Sequence, residues 1–105
     1  HCIVGTDGWK FAPDISKYKT KVATKHTFGY RDWDLGYLDL DESVSIELVG
    51  LCSDICVVSN ALILKAIFPE NEITVDASCC AGTTPENHKA ALQVMKSCQI
   101  NVIGE

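Results

Sequence analysis

The run Val49-Gly50-Leu51-Cys52-Ser53-Asp54-Ile55-Cys56-Val57 holds the side chains best suited to covalent chemistry. Its apolar start reads as a strand end, Ser53 and Asp54 are helix-start types, and Cys56 then falls in the first helical turn. Cysteine attacks as the thiolate, and an ordinary thiol is only roughly 3% ionised at pH 7. A helix start favours the anion, because its free backbone N–H groups and the positive end of its dipole both stabilise negative charge. The same N–H groups could receive a developing oxyanion, a large contribution in acyl transfer. Cys52 lies at the strand end, where its amide rather than its thiol would face a substrate. A cysteine in an apolar helical turn is more often plain core packing, and residue type and position alone favour that reading.

These residues need a frame. From residue 20 onward the chain alternates strand with helix, the pattern of βαβ units in a parallel sheet. A short strand is predicted over residues 20–24 and a longer one over 42–51. In the latter Val44, Ile46 and Leu48 alternate with polar residues before Val49, Gly50 and Leu51 run apolar, as in a strand buried on both faces. A helix follows over about 54–67, with Ile55, Val58, Leu62 and Ala66 at helical spacing and Pro69 beyond its end. Residues 72–77 read as the next strand. Thr84-Pro85-Glu86 supplies an N-cap, a proline at the first helical position and an acid near the positive helix end. That helix carries Ala91, Leu92, Met95 and Cys98 on one side, and residues 99–103 form a last strand. Residues 32–41 read as a short helix or loop with aromatic contacts. Three strand ends thus lead into loops holding Lys25, Cys52 to Cys56, and Asp76 to Ala81. Ligands of open parallel sheets lie beyond such carboxyl ends.

Composition narrows the partners. A chain of 105 residues makes one domain, and 47% hydrophobic with 22% charged residues is ordinary for a soluble globular protein. A formal charge of -5 without a Lys/Arg run argues against nucleic acid, which is bound through clustered cations. The most apolar stretch, 55–68, is broken by Cys56, Ser59, Asn60 and Lys65 and falls short of the roughly 18 residues that span a bilayer, so no membrane partner is expected. No signal peptide is visible. A chain that opens at His1 on a functional-looking loop reads as a fragment or processed piece. The six cysteines sit in apolar patterns and are expected to be reduced and mostly structural. Without C-x-x-C or H-x-x-x-H spacing, a tetrahedral cysteine zinc site is disfavoured.

Gly50-Leu51-Cys52-Ser53-Asp54-Ile55-Cys56-Val57 resembles the Gly-x-x-Thr/Ser-Asp-x-Cys-Val nucleophile loop of the nicotinamidase and isochorismatase-like cysteine hydrolases, in which the last cysteine is catalytic. His1-Cys2-Ile3-Val4-Gly5-Thr6-x-Gly8 resembles the nicotinamidase segment His-Cys-x-x-Gly-Thr-x-Gly. Val75-Asp76-Ala77-Ser78-Cys79-Cys80-Ala81-Gly82, with Thr84-Pro85-Glu86 and Ala90-Ala91-Leu92 behind it, is similar to the family's strand, Ala-Gly turn and helix. One short match would be weak; three in register, spread over nearly the whole chain, are specific.

The resemblance implies an α/β fold, a Rossmann-like parallel sheet with helices on both faces. It is incomplete here, because the family's first strand, its catalytic aspartate and its other metal ligands are not among residues 1–105. These residues would be the carboxyl-terminal part of a single isochorismatase-like hydrolase domain. Asp7, Asp14 and Asp54 do not occupy the aspartate's place, and Asp54 reads as a helix cap. Within the implied Asp-Lys-Cys triad, Lys25 would support the Cys56 thiolate, although an isolated lysine is otherwise a solvated charge. The backbone N–H groups of Cys52 and Cys56 would form the oxyanion hole, and the Leu51–Cys52 peptide would be cis. Phe28 and Tyr30, with Trp33, follow Lys25 closely enough to line an aromatic substrate pocket, though aromatics near a strand end are often core. His1 matches the histidine that helps hold a divalent metal (Zn, Mn or Fe). His26 and His88 lack such context, and His88 reads as solvated. The implied activity converts nicotinamide or a similar small carboxamide to the acid and ammonia through a thioester, in a cytoplasmic homo-oligomer serving NAD salvage. The missing amino-terminal segment is an expected partner, and the chain alone is expected to be inactive. The alternatives are a metal-free isochorismatase-like hydrolase of another small substrate, and a noncatalytic binding or structural member.

Overall fold

A computed structural model of the chain describes residues 2–34 and 41–105. Three parallel strands, β1 (Ile46–Leu51), β2 (Ile73–Ala81) and β3 (Asn101–Ile103), lie in that order. A short helix α1 (Pro13–Ser16) precedes them, α2 (Val58–Ile67) joins β1 to β2, and α3 (Pro85–Ser97) joins β2 to β3. This is the parallel α/β arrangement that the alternation of elements predicts. The two long helices pack against each other and against β2. Their buried residues Val57, Ala61, Leu64, Ala91, Leu92 and Met95 meet Ile73, Val75 and Ala77 of β2 and Ile100 in one core. Among the described residues no helix is long and apolar enough to cross a membrane.

Several boundaries differ from expectation, each for a local reason. Residues 20–24 are irregular rather than a strand, since no described segment pairs with them. Strand β1 starts at Ile46 instead of 42. The residues before it are held as a turn by Asn71, whose Nδ2 donates to the carbonyls of Asp41 (2.7 Å) and Val44 (2.8 Å). The run 49–51 is not buried on both faces: Val49 is 56% and Leu51 69% exposed. Among the described residues β1 is an edge strand with only β2 beside it. Residues 35–40, most of the segment expected as a short helix or loop, lie outside the described residues.

Strand β2 runs past its predicted end because its register slips. Leu48 pairs with Val75 and Gly50 with Cys80, so two steps along β1 match five along β2. The extra residues bulge around Asp76, whose Oδ1 accepts the Ser78 N–H (3.0 Å) and hydroxyl (2.6 Å). Opposite the bulge Gly50 has φ +119°, a conformation that side chains with a Cβ rarely adopt.

The helix expected from residue 54 opens differently. The Val57 N–H reaches five residues back to the Cys52 carbonyl (3.0 Å), which makes Ser53–Val57 a wide π-type turn before α2 begins. The core side of α2 then carries Ala61 and Leu64, continuing from Val57 of the turn, while Ala66, in the predicted apolar series, is exposed. This helix is apolar almost all round, so spacing alone does not select a face. Helix α3 starts as predicted, with Thr84 Oγ1 accepting the Asn87 N–H at 3.0 Å and Pro85 in the first turn. It ends where Gln99 takes φ +66° and the Ile100 N–H bonds the Met95 carbonyl (3.0 Å). That ending drives Ile100 into the core and leaves Cys98 exposed, off the apolar side on which it was expected.

Candidate active site

The wide turn places Cys56 beside Lys25, from a distant stretch of chain. Lys25 Nζ lies 3.6 Å from Cys56 Sγ and also donates to the Thr27 carbonyl at 3.1 Å. The two residues singled out as nucleophile and activating cation are therefore brought together. Cys52 is the residue from which the turn springs: the Leu51–Cys52 peptide is cis, and the Cys52 carbonyl accepts the N–H groups of Ile55 and Val57, both at 3.0 Å. Cys56 is half-buried and lines an open groove of about 430 Å³, with Trp33, Leu48, Leu51, Val57 and Asn60 among the other walls. The thiol is thus neither sealed in the core nor fully in solvent.

The loop after Lys25 lies directly on α2. At Gly29 the two come close enough that an added Cβ would displace the tip of the Ile63 side chain and meet Ser59 Cβ at 3.5 Å. Asn60, buried on α2, bonds the loop at Phe28, Tyr30 and Trp33. The aromatic residues are arranged otherwise than expected. Phe28 is 65% exposed, and the Tyr30 ring stands edge-on to Trp33, with centroids 4.9 Å apart. Only Trp33 of the three lines the groove. His1 lies outside the described residues.

A second set of bonds ties the Ser53–Val57 turn to α3. Ser53, fully buried, places Oγ 2.7 Å from His88 Nδ1. His88 is accordingly half-buried rather than solvated. Asp54 does not cap its own helix. Its carboxylate accepts the Thr83 N–H (2.8 Å) and the Thr83 hydroxyl (2.5 Å), bracing the loop that leads into α3. These bonds, the Thr83 hydroxyl foremost, hold the Asp54 carboxyl below the usual carboxylate range. Burial, by contrast, pushes the Cys80 thiol above its ordinary value.

All six cysteines are free, but Cys2, Cys79 and Cys98 are exposed and the others half-buried, so none packs as a fully buried hydrophobe. Among the described residues no three His, Cys, Asp or Glu side chains gather as a metal site. Those residues by themselves do not fit a metal. Sequence reasoning missed Asn60 and the Ser53–His88 pair. An amide interrupting the apolar run 55–68 was the available signal for the first, because a buried amide must find partners. Nothing in local spacing links Ser53 to a histidine on α3.

The geometry has counterparts among solved structures. The nicotinamidase of Staphylococcus aureus is 32% identical, with a TM-score of 0.50, over 55% of this chain and 36% of its own. The Bacillus subtilis nicotinamidase is 31% identical, with a TM-score of 0.53, over 57% of this chain and 33% of its own. An isochorismatase-like hydrolase from Alkaliphilus metalliredigens, 25% identical with a TM-score of 0.76, matches 98% of this chain and 57% of its own length. The matched region is therefore about a third of each nicotinamidase and just over half of the third protein. Among curated proteins no sequence matches significantly. A family model described as the isochorismatase domain matches residues 1–104, and the chain belongs to that family of hydrolases.

Proposed function

We propose that this chain carries the nucleophile and the activating lysine of a cysteine amidohydrolase acting on nicotinamide or a similar small carboxamide. The observation that carries the reading is the 3.6 Å approach of Lys25 Nζ to Cys56 Sγ beside an open groove. Cys56, as the thiolate, adds to the amide carbonyl carbon while the Lys25 ammonium balances its charge. Negative charge moves to the carbonyl oxygen, toward the backbone N–H groups of Cys52 and Cys56. The C–N bond then breaks, and nitrogen leaves as ammonia with a proton from an acid that the described residues do not supply. Asp54 is unsuited to that role because both its oxygens are engaged by Thr83. Water adds to the thioester, the C–S bond breaks, and the acid and the free thiol result.

The nicotinamidase neighbours support the substrate class, and Trp33 offers the groove an aromatic wall. The fuller match to an isochorismatase-like hydrolase supports a second reading, a metal-free hydrolase of another small substrate. In both readings the edge of β1 that pairs with nothing among the described residues is the proposed seat of a further strand from the same domain, and residues 1–105 alone are expected to be inactive. Turnover of nicotinamide against isochorismate by the full-length protein, with its metal content measured, separates the two. Cys56→Ala should lower the rate on the true substrate by about a thousandfold or more. Unchanged turnover in that variant would remove Cys56 from the chemistry.

A further inference from the structure

We propose that Asn60 is a positioning residue that holds the lysine-bearing loop at its working distance from the Cys56 thiol. The inference rests on the reading of Cys56 as nucleophile. Asn60 lies four residues after Cys56 and is 7% exposed. Its amide offers two N–H donors and an oxygen with two lone pairs. All four are used. Nδ2 donates to the carbonyls of Cys56 (2.9 Å) and Phe28 (3.1 Å), and Oδ1 accepts the Tyr30 N–H (2.8 Å) and the Trp33 indole N–H (3.2 Å). Three bonds therefore go to the loop and the fourth to the backbone of the nucleophile itself.

The lysine is tied to that same loop. Lys25 Nζ donates to the Thr27 carbonyl (3.1 Å), and the Thr27 hydroxyl donates to the Gly29 carbonyl (2.6 Å). Lys25 is thus organised by the loop's own backbone, and Asn60 fixes that backbone to the helix carrying Cys56. The core neighbours Val57, Ala61 and Leu64 are apolar, and a buried amide among them is unfavourable unless fully bonded. The loop supplies that bonding. Asn60 is placed to set geometry through Lys25 without taking part in the reaction.

The test variant is Asn60→Ser. A serine there can keep a bond to the Cys56 carbonyl four residues back, as Ser59 does to the Ile55 carbonyl at 2.5 Å, while Phe28, Tyr30 and Trp33 are released. Carbamidomethylation of Cys56 is timed in the full-length parent, Asn60→Ser, Lys25→Met and the double variant. At about pH 6.5 each single change is expected to slow Cys56 about tenfold, as loss of a neighbouring cation does. The double variant should be no slower than Lys25→Met. A merely structural role would instead add its factor to that of Lys25→Met, which would overturn the inference. So would a fast parent matched by Asn60→Ser. A parent Cys56 no faster than Cys79 would sink the nucleophile reading and this one with it. Hydrogen exchange in β2 reports whether Asn60→Ser keeps its sheet. If it does not, Trp33→Phe, which removes a single bond to Asn60, should slow Cys56 about twofold, and no change there would refute the inference.

Discussion

Replacing Ser53 with alanine should loosen the Ser53–Val57 turn without touching the Cys56 thiol. Ser53 is fully buried and its Oγ sits 2.7 Å from His88 Nδ1, so Ser53→Ala removes one hydrogen bond and leaves an imidazole nitrogen without it. A typical bond contributes about 0.5–1.5 kcal/mol net, and a buried group left unpaired costs about 1–3 kcal/mol. His88 is only half-buried, so water can reach part of it, and the lower part of that range applies. We therefore expect a loss of about 1.5 kcal/mol, or roughly 3–6 °C in Tm for an intact domain of about 150–250 residues. The assay is urea and thermal unfolding of the full-length protein, the parent beside Ser53→Ala, His88→Leu and the double variant. Because the two residues share one bond, the double variant should cost clearly less than the sum of the singles. A Ser53→Ala protein melting within a degree of the parent, or strictly additive costs, would refute the reasoning.

Other outcomes follow from the same geometry. Thr84→Ala removes the cap on Asn87 and should cost about 1 kcal/mol in unfolding free energy, whereas Thr84→Ser should cost little. The Asp54 carboxyl is held below its ordinary 3.8, so its stabilising effect is complete above that pH and is lost as pH falls through the lower folded-state value. Asp54→Asn should therefore flatten the fall in stability below about pH 4 that the parent shows; equal acid slopes would contradict this. Burial holds the Cys80 thiol above its ordinary value, so Cys80 should be among the slowest of the six to react with iodoacetamide near neutral pH, as read by peptide mapping.

Much of the architecture was readable because each signal was local. Thr84-Pro85-Glu86 marks a helix start by capping chemistry and lies where those residues place it, whereas the alternation of Val44, Ile46 and Leu48 marks a strand whose start falls at Ile46 rather than at 42. The Cys56–Lys25 pairing was readable only through the resemblance, since nothing in their separate surroundings brings a lysine from one loop to a thiol in another. What stayed hidden depends on tertiary partners. The slip between Leu48 and Gly50, the wide turn at Ser53–Val57 and the burial of His88 are set by neighbouring elements. The exposure of Val49 and Leu51 follows from an edge whose apolar residues look, in sequence, like any doubly covered strand. Their place after Lys25 suggests Phe28 and Tyr30 as pocket walls, but of the three aromatics only Trp33 lines the groove, with the loop bonded to Asn60.

The most direct test of the Cys56–Lys25 centre is competitive labelling of all six thiols at about pH 6.5 with limiting iodoacetamide, resolved peptide by peptide. Accessibility alone would favour Cys2, Cys79 and Cys98, the exposed ones, over the half-buried Cys56. If the ammonium beside its sulfur makes Cys56 the reactive thiol, it is labelled first, and Lys25→Met abolishes that lead. Labelling that simply follows exposure, with Cys56 behind the three surface cysteines in parent and variant alike, would contradict the account.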